Sequence, residues 1–173
     1  MSKAVLLSIR PKWCEKIARG EKTIEVRKTK PKLETPFKCY IYCTMDHPYI
    51  SVSCGELDKL NYRTNTVGRC NGKVIGEFTC ERIALIAYDG GELSSTTNAA
   101  FSPATCLTQS EIIAYIGDKG RCYGWHISDL RIYDTPRDLG EFIGLRTMKN
   151  GFELRELDRP PQSWYYVLED YHA

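Results

Sequence analysis

Hydrophobic and polar positions change period several times along the chain. AVLLSI (Ala4–Ile9) is short, apolar and unbroken, which predicts a buried strand. Pro11 follows where the first turn of a helix does not need an N–H. In PKWCEKIARG, Trp13 with Ile17 and Cys14 with Ala18 are four apart and make one apolar face; Gly20 is a natural stop, so the spacing predicts a helix near 11–19. TIEVRK then alternates, with Ile24 and Val26 facing one way and Thr23, Glu25 and Arg27 the other. FKCYIYCT (Phe37–Thr44) is rich in aromatic and β-branched residues and reads as a strand.

Periodicity is lost over 45–72, an irregular excursion with room for a short helix near 56–63. GKVIGEFTCERIALIAY (Gly72–Tyr88) is one long strand or two, and the Gly-, Ser- and Thr-rich stretch 89–107 reads as a long surface insertion. In LTQSEIIAYIG, Thr108 is a plausible N-cap, Glu111 holds the capping-box position and Ile112 and Ile116 are four apart, which predicts a helix ending at Gly117. GWHISDLRIYD (Gly124–Asp134) is a further strand, TPRDLGEFI has the makings of one helical turn, and SWYYVLED (Ser163–Asp170) is a closing strand. Strands outnumber helices in this order. The expected class is α+β, a mixed sheet closed or curled into a barrel with helices at its edges.

At 173 residues, 42% of them hydrophobic, the chain suits one domain over 1–173 with a real core. No apolar run approaches the roughly 18–20 residues that span a bilayer, so no membrane partner is expected. The opening MSKAVLLSIRPKW reads as a first strand and not a signal peptide. The eight cysteines are scattered, with no CxxC pair. That pattern fits a reduced, cytoplasmic protein with buried thiols better than a disulfide framework or a zinc site, and neither metal nor cofactor is expected.

Charge changes the picture more. The chain is +2 overall, but residues 10–38 hold ten Lys/Arg against four acids. Such a local basic region suggests an anionic partner at one face, although a solvated lysine-rich surface has the same composition. Within it, Glu25 and Arg27 point to one side of a strand, with Lys22 at the strand entry and Lys28 just beyond. A carboxylate between two cations is held ionised. It accepts from a base edge while the cations meet carbonyls or phosphates. From alternation alone an ordinary cross-strand salt bridge is the better reading. Arg10 and Lys12 flank the helix start and are placed to meet phosphates. Trp125, with Tyr123, Tyr165 and Tyr166, offers stacking surfaces, whereas Trp13 sits on the apolar helix face and reads as core. His126 is a candidate hydrogen-bond partner or proton shuttle.

LLSIRPKWCEKIARGEKTIEVRKTKP resembles the opening of ASCH-domain proteins of the PUA-like superfamily, with the GxKxxExR motif matched at Gly20, Lys22, Glu25 and Arg27. YGWHISDLRIYDTP and RPPQSWYYV are similar to later segments of that family. The resemblance implies a PUA-like mixed β-barrel with flanking helices and a cleft displaying Lys22, Glu25 and Arg27. It also implies binding of single-stranded RNA or a nucleotide-like ligand, often within a larger protein assembly. Some small members are amidohydrolases that remove an acyl group from modified cytidine, using a Lys and a Thr of the first motif and a downstream Glu. Lys22 matches that lysine, but Glu25 stands where those enzymes have threonine. As an enzyme, the chain has Lys22, Glu25 and Glu111 as its catalytic candidates. As a binding module it has Arg10, Lys12, Lys22, Glu25, Arg27, Lys28, Trp125 and His126. A protein-interaction adaptor working through 45–72 and 89–107 is a third reading.

Overall fold

A computed structural model describes residues 2–52, 69–96 and 101–169. The first half holds β1 (Lys3–Ile9), α1 (Pro11–Ala18), β2 (Ile24–Arg27), β3 (Phe37–Cys43) and β4 (Lys73–Asp89). There follow β5 (Glu92–Ser95), α2 (Phe101–Thr105), α3 (Gln109–Ile116), β6 (Arg121–Arg137), β7 (Ile143–Met148), β8 (Gly151–Glu156) and β9 (Trp164–Leu168). The helix expected near 56–63 lies outside the described residues.

The nine strands form one mixed sheet in the order β2-β6-β4-β3-β1-β9-β7-β8, with β5 on the edge of β4. Strands β1 and β3 run parallel, because α1 and β2 lie between them in the chain; the remaining pairs are antiparallel. Both faces of β1 are covered, as its unbroken apolar run requires. Leu7, Ile9, Ile17, Ile41, Ile75, Phe78 and Trp125 pack in the main core beside α1. Each such fully buried side chain is worth about 1.5–3 kcal/mol. On the long β4–β6 ladder the register shifts near Gly76, where a Cβ would run into the carbonyl oxygen of Arg131.

The α+β class holds, but the sheet is not closed into a barrel. The physical reason lies at β2. It has only four residues, and its ladder is with β6 alone. Toward β1 and β9, side chains take the place of a ladder. Arg27 Nη2 donates to Ser8 O (2.7 Å), Trp164 Nε1 to Thr29 Oγ1 (2.9 Å) and the Lys32 N–H to Tyr166 Oη (2.7 Å). The sheet therefore curls onto itself along a seam of side chains.

Two further elements differ from the expectation. Part of the 89–107 stretch joins the fold, with β5 pairing with β4 and α2 packing against β2. The hairpin β7–β8 was missed, although Phe152 and Leu154 alternate with Glu153 and Arg155 directly after Asn150-Gly151; its apolar face is exposed. Among the described residues no helix is long and apolar enough to cross a membrane.

Candidate functional site

The GxKxxExR segment is shaped by the end of α1. Gly20 adopts φ +72°, a left-handed conformation that suits glycine, and lets the chain fold back on the helix. The N–H groups of Glu21 and Lys22 then both reach Lys16 O, at 2.9 and 3.1 Å. Thr23 N–H donates to Ala104 O (2.9 Å), which ties the strand entry to α2. Beyond it β2 pairs with β6, Ile24 opposite His126 and Glu25 opposite Trp125. Gly124 makes room for this pairing, since a Cβ there would stand 3.0 Å from Ile24 Cγ2.

The outcome is a buried ionic triad. Lys22, Glu25 and Arg27 are only 3%, 6% and 8% exposed. Glu25 lies between the two cations, Oε2 at 3.4 Å from Lys22 Nζ and Oε1 at 3.1 Å from Arg27 Nη2. Lys22 Nζ also donates to Thr105 O (2.7 Å) and stands 5.1 Å from the centroid of the Trp13 ring, an ammonium over a π face. Arg27 spends Nη2 on Ser8 O, and its Nη1 faces Ser163 O at 3.4 Å; its buried Nε–H has no acceptor among the described residues.

These three residues line a half-open cavity of about 710 Å³. Arg10, Trp13, Asp46, Glu111 and Tyr115 complete most of its polar and aromatic wall. The volume falls in the range of small-ligand sites, roughly 300–1,000 Å³. Of the residues singled out from sequence, Arg10, Lys22, Glu25, Arg27 and Glu111 therefore meet here. Lys12 is exposed on α1, its Nζ 4.6 Å from the Trp13 centroid. Lys28 lines a neighbouring depression instead.

Two aromatic residues sit differently from the expectation. Trp125 is fully buried in the core against Phe37, edge-on at 5.8 Å, and does not line the cavity; β6 is a central strand there, flanked by β2 and β4. Trp13, expected in the core, packs half-buried against it and also lines the cavity, beside the fully covered Pro11, Cys14 and Ile17 of α1. His126 lies outside the cavity lining, and burial, with Arg82 nearby, holds its pKa below the usual imidazole value. Tyr115 was missed, yet it stands four residues after Glu111 and so shares its helix face. Asp46, also missed, lies in the aperiodic excursion, where no pattern marks it.

Glu111 serves the capping box in full. Its carboxylate accepts from Thr108 N (2.7 Å) and Thr108 Oγ1 (2.9 Å), and these bonds lower its pKa. Glu25 faces a cation at each oxygen. Both carboxylates are thus engaged as acceptors, an arrangement better fitted to reading donors on a ligand than to taking up a proton. Among the described residues, no three His, Cys, Asp or Glu side chains cluster in a way that would hold a metal ion.

With this geometry in view, the fold can be compared with solved structures. Crystal structures of the ASCH protein from Zymomonas mobilis share it. A serine-to-alanine variant superposes with TM-score 0.56 at 18% identity, over 97% of this chain and 89% of that one. The unmodified protein gives 0.53 at 18%, over 96% and 88%. A tyrosine-to-phenylalanine variant gives 0.55 at 17%, over 98% and 93%. No family model and no curated protein matches the sequence. The chain thus has the ASCH-domain fold, as the resemblance of its opening motif implied.

Proposed function

We propose that the protein is a recognition module for single-stranded RNA, with one nucleotide unit seated in the cavity over Lys22, Glu25 and Arg27. The observation that carries this reading is the buried triad in the cavity wall, with the Arg27 Nε–H lacking an acceptor among the described residues. Burying three charges is a poor way to stabilise a fold, since apolar residues of similar volume do so as well or better. Their placement in the wall of an open cavity is instead suited to binding. Glu25 accepts from exocyclic or ring N–H groups, the cations meet carbonyls or a phosphate, and Trp13 and Tyr115 supply faces for a base. Arg10 and Lys12 add positive charge around Trp13.

The test is binding of uridine and adenosine monophosphates and of short single-stranded RNAs by calorimetry, at two salt concentrations. Wild type should bind with salt-sensitive affinity. Lys22→Met should weaken binding at least tenfold while keeping the fold, because Glu25 retains Arg27. Trp13→Ala should cost about 1–3 kcal/mol of stacking. Equal binding by both variants and wild type refutes the assignment. Turnover of acylated cytidines, abolished by Lys22→Met, would replace it with the hydrolase reading.

A further inference from the structure

Beside the cavity lies a second depression of about 400 Å³, lined by Lys28, Thr29, Lys30, Lys119, Arg121 and Tyr123. It brings four cations together and has no carboxylate in its lining. None of the four forms an ion pair among the described residues, unlike Lys16, Arg19, Lys73 and Arg137, which do. The cations come from two segments that the β2–β6 register sets side by side. Arg27 pairs with Tyr123, so the residues after Arg27 run beside those before Tyr123. Unneutralised positive charges brought together in this way repel one another, and a bound anion relieves that repulsion.

The depression is joined to the cavity through one residue pair. Lys28 lines the depression and holds its ammonium 5.2 Å from the ring centroid of Tyr115, which lines the cavity. A second pair repeats the theme, with Lys30 Nζ 5.8 Å from the Tyr123 centroid. Cations interleaved with aromatic faces are what a single strand requires, phosphates on the former and bases on the latter.

We infer that the 28–30 and 119–123 depression is a phosphodiester track, which carries the strand onward from the nucleotide in the cavity. This deepens the proposed function and rests on it. The ligand class becomes an oligonucleotide of several units, not a free nucleoside or mononucleotide.

The experiment is fluorescence anisotropy with 5′-fluorescein oligouridylates of one to six units, with matched DNA oligomers as a second arm. Wild type is compared with Lys22→Met and with a Lys30→Ala/Lys119→Ala/Arg121→Ala triple variant. All three substitutions of the triple variant are at exposed positions, so circular dichroism should match wild type. Wild-type affinity is expected to rise with length up to about four units. The triple variant should bind uridine monophosphate within twofold of wild type but weaken at least tenfold for the longer oligomers. Its salt slope should fall by about two, since each lost phosphate contact on a single strand removes about 0.7. Lys22-dependent binding with no length dependence and no effect of the triple variant overturns the track and leaves the cavity reading standing. Length-dependent binding that needs the basic residues but not Lys22 supports the track and overturns the cavity reading. No binding of any oligomer overturns both.

Discussion

Replacing Glu25 by Gln keeps the shape of the triad and removes its only negative charge. Lys22 and Arg27 are then left buried, with side chains 2% and 10% exposed, facing a neutral amide where they had a carboxylate at 3.4 and 3.1 Å. Breaking a buried pair by removing one partner costs about 3–5 kcal/mol. The Thr105 and Ser8 carbonyls still accept from the two cations, each at 2.7 Å, and the cavity is open on one side. These contacts put the expected loss at the lower end, about 3 kcal/mol. For a domain of this length that lowers Tm by roughly 6–12 °C. Urea unfolding by tryptophan fluorescence and a thermal melt measure it. Lys22→Met should cost clearly less, because Glu25 keeps Arg27, and uridine monophosphate should restore part of what Glu25→Gln loses. A Glu25→Gln variant within about 0.5 kcal/mol of wild type, or a Lys22→Met variant equally destabilised, would refute the electrostatic account of the triad.

Thr108→Ala should destabilise by about 1 kcal/mol through loss of the α3 cap. Because the folded-state pKa of Glu111 is lowered, the stability it adds is fully present above the ordinary carboxylate value of about 4.5 and fades as pH falls through the lower folded value. Glu111→Gln should flatten that part of an acid titration followed by circular dichroism. Gly76→Ala must push apart the β4 and β6 backbones at their register shift, and a denaturant melt should show a loss of about 1–3 kcal/mol. Of the described cysteines, Cys106 is partly exposed, whereas burial raises the thiol pKa of Cys14 and Cys39. Timed alkylation read by mass spectrometry should therefore modify Cys106 well before those two.

What could be read from the sequence was whatever depends on neighbours in the chain. The apolar run at 4–9, the four-residue spacings of α1 and the capping box at Thr108 each produced the element they indicated. The alternation in β2 correctly put Glu25 and Arg27 on one side, and the triad is built on that. Its burial was not legible, since it needs Thr105, Ser8 and Ser163, which are far away in sequence and carry no signal of their own. The burial of Trp125, and the cavity face that Trp13 keeps while packing on the core, were illegible for the same reason. Helical periodicity marks an apolar residue but does not say which neighbour will cover it. The barrel expectation failed at one strand, where a four-residue β2 leaves a side-chain seam instead of a ladder.

That seam has a mechanical meaning. The cavity sits over a line along which the sheet is fastened by side chains, as a clasp fastens a cuff. Drawing β2 away from β1 and β9 releases the bonds of Arg27, Thr29 and Lys32 and breaks no rung of any strand ladder. A ligand that takes up the Arg27 guanidinium therefore competes directly with the fastening. Occupancy and the width of the opening are set by the same few hydrogen bonds, and hydrogen exchange at the Lys32 N–H, which donates across the seam to Tyr166 Oη, would report both.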